Sequence, residues 1–272
     1  MIETIKEMLS YSFINRAIIV GTLVSLCAAL LGVILVLKRY ANIGDGLSHV
    51  GFGILTAAVA FGLTPLPVTI PLVMIVAILL LKIGNNSKIK SDSAIALISS
   101  TSLAIGVAIT SLTSGMNTDI CNFMFGSILA MNKTDVYLSV GVSAVVIILF
   151  VVYYRKLFAV TFDEEFAKAS GLKANRYTSL IAVLTAIVIV IGMRMMGTML
   201  ISSIIIFPAL TSMRIFKSFK RVVVSSAIIS VVCFLIGIYL SYVYKISTGA
   251  MIVLINLIMF IIFTLIEKIM KE

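Results

Sequence analysis

Few residues of this sequence are charged, and this shortage indicates to which class of protein it belongs. Asp, Glu, Lys and Arg make up 12% of the 272 residues, whereas a soluble domain usually has about 25%. Hydrophobic residues make up 61%, and the mean hydropathy is +1.21. These values indicate an integral membrane protein. Because the apolar runs are continuous rather than alternating, they predict membrane-spanning helices rather than strands.

Motifs of several enzyme classes are also absent. The chain has no Gly-x-x-x-x-Gly-Lys-Ser/Thr loop for ATP phosphates, no nucleophile elbow, no His-Glu-x-x-His and no Cys-x-x-Cys pair. His49 is its only histidine, which excludes hydrolytic metal sites built on several histidines. The cysteines, Cys27, Cys121 and Cys233, lie far apart in apolar runs and are interpreted as buried, unreactive thiols. These absences exclude the enzyme classes whose sites depend on such motifs.

Basic residues outnumber acidic ones and concentrate in two loops. The formal net charge is +10; the loop 214–221 has four basic residues and no acidic one, and the loop 154–177 has five basic residues. Since Lys and Arg collect in cytoplasmic loops, both loops and the C-terminus are predicted to face the cytoplasm. The side of the N-terminus depends on how the segment 119–131 is counted. The chain lacks the basic surface with interleaved aromatics that is typical of nucleic-acid binding, so nucleic acid is not an expected partner.

Nine apolar stretches are candidate membrane spans, since a crossing helix needs roughly 17–25 residues. The six clear ones are 17–37, 43–63, 93–114, 136–153, 222–244 and 249–267, and the three weaker ones are 66–81, 178–193 and 197–213. The segment 119–131 is too short and too polar to cross and is interpreted as a partial or re-entrant helix.

These stretches predict an all-α, polytopic membrane protein with eight or nine transmembrane helices, eight being preferred. It forms a single transmembrane domain over residues 1–272, surrounded by membrane lipid, and its one large cytoplasmic loop is 154–177. The first apolar run is interpreted as a retained span rather than a cleaved signal. Pro208 is predicted to kink or break the helix in which it lies.

Asp45 and His49 are the most informative residues of the chain. They lie within Gly-Asp-Gly-Leu-Ser-His, residues 44–49, in otherwise small and apolar surroundings. Residues four apart share a helix face, about 6 Å from each other, so a carboxylate and an imidazole can converge on one cation. The pair suits Mn²⁺, Fe²⁺ or Zn²⁺, and an ionisable residue inside a span typically marks a substrate path. The alternative is structural: Asp45 caps the helix start, and His49 packs against a polar neighbour.

Two ligands on one helix do not complete a metal site. A homodimer with this helix near its axis would supply two carboxylates and two imidazoles, which suits a transient, exchangeable site.

Residues 163–176 form the other notable segment. The acidic residues Asp163, Glu164 and Glu165 precede a short helix-like run, and Gly171 ends it, as in ordinary helix capping. One interpretation is a solvated loop helix. The other is a docking helix for a cytoplasmic partner, since no other loop is large enough.

Two further groups are weaker candidates. Arg194 is surrounded by Met193, Met195, Met196 and Met199. Thioethers favour Cu(I), but methionine more often fills gaps in apolar packing. Asp119 and Asp135 flank the segment 119–131 and either line a cation entrance or lie in a solvated loop; the loop is favoured.

Four stretches of the sequence resemble the zinc/manganese/iron permease family of ABC importers. They are RYANIGDGLSHVGFG at 39–53, FGSIL at 125–129, DEEFAKASGL at 163–172 and GTMLISSIIIFPALTSM at 197–213, and the matches run in family order over residues 39–250. One departure is Ser247-Thr248-Gly249, where the family usually has Pro-Ser-Gly or Pro-Thr-Gly.

The resemblance implies a homodimeric permease in the bacterial plasma membrane that imports a divalent metal ion, Mn, Zn or Fe. It implies two cytoplasmic ABC ATPase subunits and an extracytoplasmic metal-binding protein as partners. It also implies a transport subunit that is not an enzyme and holds no permanently bound cofactor. By motif, the pathway ligands fall on Asp45 and His49, and the ATPase-docking residues fall on Asp163, Glu164, Ala167 and Gly171. The alternatives are an ABC permease for a metal chelate or another small substrate, an ATP-independent secondary cation transporter, and a purely structural membrane protein.

Overall fold

A computed structural model describes residues 2–86, 91–113, 126 and 133–271, and all regular secondary structure in these ranges is α-helical. The described part contains twelve helices: α1 Ile2–Ser10, α2 Ser12–Leu37, α3 Asn42–Ala60, α4 Pro65–Asn86, α5 Ser91–Leu112, α6 Lys133–Val152, α7 Tyr154–Phe162, α8 Glu164–Ala169, α9 Ala174–Met196, α10 Thr198–Ile215, α11 Phe219–Tyr244 and α12 Thr248–Lys271.

Seven helices of the described part are long and apolar enough to cross a membrane: α2, α3, α5, α6, α9, α11 and α12. Two shorter apolar helices, Pro65–Leu80 within α4 and Leu200–Ile215 within α10, coincide with weaker stretches of the sequence. The prediction of an all-α, polytopic membrane protein is confirmed. The segment 119–131, apart from Gly126, lies outside the described residues.

The core forms around α2, which is mostly buried and packs against α6, α9, α10 and α11. Small residues allow this close packing, as is typical inside membranes. At Gly32 of α2, a Cβ atom would lie 1.9 Å from the carbonyl oxygen of Ile205 in α10. In contrast, α5, α6 and α12 are mostly exposed and lie at the periphery of this chain.

The contact between Lys38 and Glu164 places the end of α2 beside the first basic loop. Lys38 follows α2, and its Nζ lies 3.1 Å from Glu164 Oε2 in α8, within the first basic loop. Basic loops are predicted to face the cytoplasm; on that prediction the 26-residue α2 runs toward the cytoplasmic side and α1 lies toward the outer side. Glu267 of α12 contacts Arg214 at the second basic loop, so the C-terminal end lies beside that loop.

The chain is interrupted at Gly197 and not at Pro208. Gly197 separates α9 from α10 and has a φ of 90°, a conformation that residues with a side chain rarely adopt. Pro208 lies within α10, which continues to Ile215, so the helix is not broken at Pro208; the kink that was the other predicted outcome stays a prediction. Packing of α10 against α2, α3 and α12 keeps the helix together despite the one backbone N–H that proline lacks.

Candidate functional site

Asp45 and His49 lie on one face of α3, close to its cytoplasmic end. Asp45 is in the first turn of the helix, and His49 is one turn further into the membrane. Asp45 Oδ2 is 3.7 Å from His49 Nε2. The Asp45 side chain is 55% exposed, and that of His49 is 14% exposed. The predicted juxtaposition of a carboxylate and an imidazole is therefore present within one chain.

One half of the structural alternative, that Asp45 caps the start of the helix, lacks support. The N-cap position of α3 is Ala41, which has no side-chain oxygen to cap with, and Asp45 lies inside the helix. His49 Nδ1 is buried and has no hydrogen-bond partner among the described residues. A buried polar atom without a partner is costly, so this arrangement favours an imidazole that receives its partner from outside the chain.

The residues beside the pair show where it points. Gly44 faces Ser202 and Ile205 of α10, whereas Gly46 faces Ile95 of α5. Because each residue turns the helix by about 100°, Asp45 lies between these two directions. The pair therefore opens into the space between α5 and α10.

One copy of the chain supplies few ligands here. Within the described ranges, no group of three or more His, Cys, Asp or Glu side chains lies close enough to hold a metal ion. Divalent transition metals need more ligands than one carboxylate and one imidazole. Further ligands must come from water, from the backbone or from a second copy of the chain.

The segment 163–171 forms a short capped helix at the cytoplasmic face. The Asp163 side chain accepts a hydrogen bond from the backbone N–H of Phe166, at 2.8 Å, and so caps α8. Ala167 is buried and packs with Val160 and Ala174. Gly171 has a φ of 82° and is exposed beyond the end of the helix. The predicted capping by Asp163 is present.

Glu164 points toward its own chain rather than toward solvent. Its Oε2 accepts a hydrogen bond from Lys38, and its Oε1 lies 3.5 Å from Lys168 Nζ. Burial raises the pKa of Glu164, but the hydrogen bonds and charges of Lys38 and Lys168 outweigh this effect and hold the pKa below its ordinary value. Glu164 is therefore a carboxylate that ties α8 to the rest of the chain.

A row of exposed aromatic residues at the cytoplasmic face was not predicted from the sequence motifs. It consists of Phe158 and Phe162 of α7 and Phe166 of α8. The rings of Phe158 and Phe162 lie 4.8 Å apart, and both contact Phe219. Their spacing of four residues in the sequence was the signal that could have identified them.

The weaker candidates have other surroundings. Met193 and Met196 are buried in the apolar core, which fits a packing role. Arg194 contacts Asp135 of α6 at 2.9 Å, so Asp135 lies in a helix and in an ion pair rather than in a loop. The side chains of Met195 and Met199, and all of Asp119, are outside the described part of the chain. Cys27 and Cys233 are free and buried, as predicted.

Comparisons with known proteins agree with this architecture. A model of the family described as ABC-3, the ABC 3 transport family, matches residues 10–267. The manganese import system permease protein ScaB of Streptococcus gordonii is 28% identical over 271 residues, which cover 96% of this chain and 93% of that protein. The high-affinity zinc uptake system membrane protein ZnuB of Haemophilus influenzae is 28% identical over 253 residues, covering 93% and 97%.

A solved structure is similar over nearly its whole length. It is described as PsaBC from Streptococcus pneumoniae in complex with Fab, and it matches with a TM-score of 0.87 and 31% sequence identity. The match covers 97% of this chain and 95% of that chain.

Proposed function

The chain belongs to the ABC 3 transport family, and on this premise we propose that it is the membrane permease subunit of an ATP-driven importer of a divalent transition metal ion. The transported ion is manganese, zinc or iron. It is a substrate rather than a resident cofactor, and the permease makes and breaks no covalent bond. The observation that carries the proposal is the Asp45–His49 pair, with its exposed carboxylate and its imidazole nitrogen that lacks a partner in the described part of the chain.

The relatives narrow the class of substrate. The matching proteins of S. gordonii and H. influenzae are named for manganese import and zinc uptake. Both ions accept carboxylate oxygen and imidazole nitrogen as ligands. Asp45 and His49 offer these two ligand types, whereas a large chelate has no need for a carboxylate and an imidazole 3.7 Å apart.

A second copy of the chain completes the pathway in this proposal. The pair opens into the space between α5 and α10, and α5 is mostly exposed in the single chain. Two copies related by a twofold axis near this space would bring two carboxylates and two imidazoles together. The ion would be held or gated there during passage and released to the cytoplasm.

Two further partners supply the energy and the ion. The chain has no phosphate-binding loop, so ATP is hydrolysed by separate cytoplasmic subunits that dock on the segment 163–171. An extracytoplasmic protein delivers the ion to the outer face. Closure of the ATPase subunits moves α8, and the spans switch between outward and inward access.

The proposal is tested by measuring cellular metal content by mass spectrometry in a deletion strain that has the partner genes. The strain carries the wild-type chain, His49→Ala or the control Asn42→Ala, at matched membrane amounts. Asn42 lies about one turn before Asp45, and its side chain is bonded to Asp92 at the surface. Wild type and Asn42→Ala are expected to raise one metal, and His49→Ala is not.

Three results would contradict parts of this proposal. Equal metal in cells with wild type and His49→Ala would remove the role of the pair. Uptake that persists without the ATPase subunits would favour a secondary transporter. No change in any metal with the wild-type chain would refute metal import itself.

A further inference from the structure

A buried lysine joins three separate parts of the chain at the cytoplasmic face. Lys38 Nζ lies 3.1 Å from Glu164 Oε2 in α8 and 3.3 Å from Thr178 Oγ1 in α9. Thr178 Oγ1 is 3.5 Å from the same oxygen of Glu164, which closes a triangle of polar contacts. The Lys38 side chain is 7% exposed, and the Glu164 side chain is 24% exposed. The end of α2 therefore shares one small polar cluster with the consecutive helices α8 and α9.

Because the Lys38 side chain is buried, separating it from Glu164 costs free energy. An ammonium group that loses its carboxylate partner while it stays buried is strongly destabilising. If α8 moved away without α2, Lys38 would be left with a single neutral partner, Thr178. Movement of α8 and movement of the end of α2 are therefore coupled.

The turn after Lys38 is held by backbone hydrogen bonds and connects α2 to α3. The backbone N–H groups of Lys38, Arg39 and Tyr40 donate to carbonyl oxygens of the last turn of α2. Those of Ile43 and Gly44 donate back into the turn, to Tyr40 and Ala41. Arg39 holds a left-handed conformation, with a φ of 61°, which gives the turn its sharp bend. Asp45 is the next residue after Gly44.

We propose that Lys38 is a positioning residue of the transport cycle, whose contact with Glu164 carries the movement of α8 through the turn 38–41 to the Asp45–His49 pair. The inference rests on the proposed function, because it assigns the route by which ATPase closure reaches the metal pathway. Ala167 of α8 also packs against Val160 of α7 and Ala174 of α9, in a small apolar cluster. Hydrophobic packing is non-directional, whereas the Lys38–Glu164 ion pair joins two defined atoms and is the directional link to α2.

Lys168 provides a matched control. It also pairs with Glu164, at 3.5 Å, but both residues lie on α8, and its closer partner is Glu165 on the same helix. Its removal takes one positive charge from Glu164 and leaves the connection to α2 in place. A general effect of charge near the docking helix would appear in variants of both lysines, whereas a mechanical link would appear only in variants of Lys38.

The experiment uses the complete complex of permease, ATPase and binding protein in liposomes, with Mn²⁺ and Zn²⁺ each tested as the transported ion. Metal uptake and ATP hydrolysis are measured in the same vesicles. In Lys38→Met, uptake is expected to fall about tenfold, within the range of measured allosteric couplings, while ATP hydrolysis stays close to wild type. More ATP is then consumed per ion. Lys168→Met changes the docking helix itself, so it is expected to lower uptake and hydrolysis together, if at all, and to keep the wild-type ratio of ATP hydrolysed to metal transported. Lys38→Arg is expected to keep that ratio as well.

The outcomes separate this inference from the proposed function. Wild-type complex without metal uptake refutes the proposed function. Wild-type uptake together with an unchanged ratio of ATP to metal in Lys38→Met refutes the coupling role alone. Equal loss of uptake and hydrolysis, with loss of ATPase from the complex, makes the contact a docking or folding element instead. If Lys38→Met is not recovered from membranes, Glu164→Gln, which keeps the shape of the side chain, is judged by the same ratio.

Discussion

Asp45 and His49 face each other across one turn of α3, with Asp45 Oδ2 3.7 Å from His49 Nε2. The second nitrogen of His49, Nδ1, is buried and has no hydrogen-bond partner in the described part of the chain. His49, the only histidine of the sequence, therefore has one ring nitrogen without a hydrogen bond among the described residues until another group binds it. In the proposed function, that group is the transported ion or its ligands from a second copy.

Asp45→Asn is expected to reduce metal uptake while leaving the amount of folded protein unchanged. The amide has almost the same size, but it lacks the negative charge that a divalent cation requires. Loss of an outer partner of a metal ligand already costs roughly 10–100-fold in affinity, so loss of the ligand itself should cost at least as much. Uptake of radioactive Mn²⁺ or Zn²⁺ into cells, at matched membrane amounts, measures the effect. Wild-type uptake by Asp45→Asn would show that the carboxylate is not a ligand.

Phe166→Ala is expected to weaken binding of the cytoplasmic ATPase by about tenfold, as for an aromatic residue central to an interface. Phe166 is 68% exposed on the capped helix α8. Covering this aromatic side chain with a partner would remove apolar surface from water, which is favourable in free energy. Phe61 is a suitable control because it is 79% exposed but lies in the turn after α3, at the opposite end of that helix. Titration of purified permease with the ATPase subunit gives the affinity. Equal weakening by Phe61→Ala would contradict a specific contact.

Gly32→Ala is expected to lower the free energy of unfolding by about 1–3 kcal/mol, as for other overpacked core positions. The added Cβ would lie 1.9 Å from the backbone carbonyl oxygen of Ile205, and a backbone atom cannot move aside cheaply. Gly141 of α6 is the matched control, since a Cβ added there would meet no neighbouring element of the described chain within 4 Å. Thermal unfolding in detergent compares the two variants. A Gly32→Ala protein as stable as Gly141→Ala would show that α2 and α10 are packed less closely.

The contact between α8 and α2 is expected to weaken in acid. The pKa of Glu164 is held below its ordinary value of 4.5, so the stabilisation from its ionised form is fully present above pH 4.5. This stabilisation is lost as the pH falls through the lowered pKa of the folded protein. The titratable groups around Glu164 are Lys38, Lys168 and Tyr40. The pKa values of Lys168 and Tyr40 are raised, so these two groups do not titrate in this range.

Hydrogen exchange of the α8 amides at pH 3 to 6 measures this dependence, after correction for the intrinsic exchange rate. In Glu164→Gln, the acid-dependent part of the protection should disappear. The same profile in wild type and variant would assign the acid sensitivity to another group.

Local chemistry was sufficient to predict a large part of the site. The spacing of Asp45 and His49 places them on one helix face because an α-helix has about 3.6 residues per turn. Asp163 caps α8 because a side chain at that position reaches the N–H of the third residue after it. The nine apolar stretches became helices because backbone polar groups in lipid must bond within their own segment. The boundary between α9 and α10 at Gly197 lies close to the predicted boundary between the stretches 178–193 and 197–213. The continuity of α10 at Pro208 was not predicted, because it depends on packing against other helices.

Sequence patterns were enough to predict which segments are apolar enough to cross the membrane and which residue types share a helix face, because both follow from contacts within a few residues. The packing of the helices brings Lys38 to Glu164, 126 positions away in the chain, and Arg194 to Asp135. It also decided that His49 Nδ1 is enclosed without a partner among the described residues. Such pairings depend on how whole helices pack, and a periodicity of about 3.6 residues carries no information about which helix lies next to which.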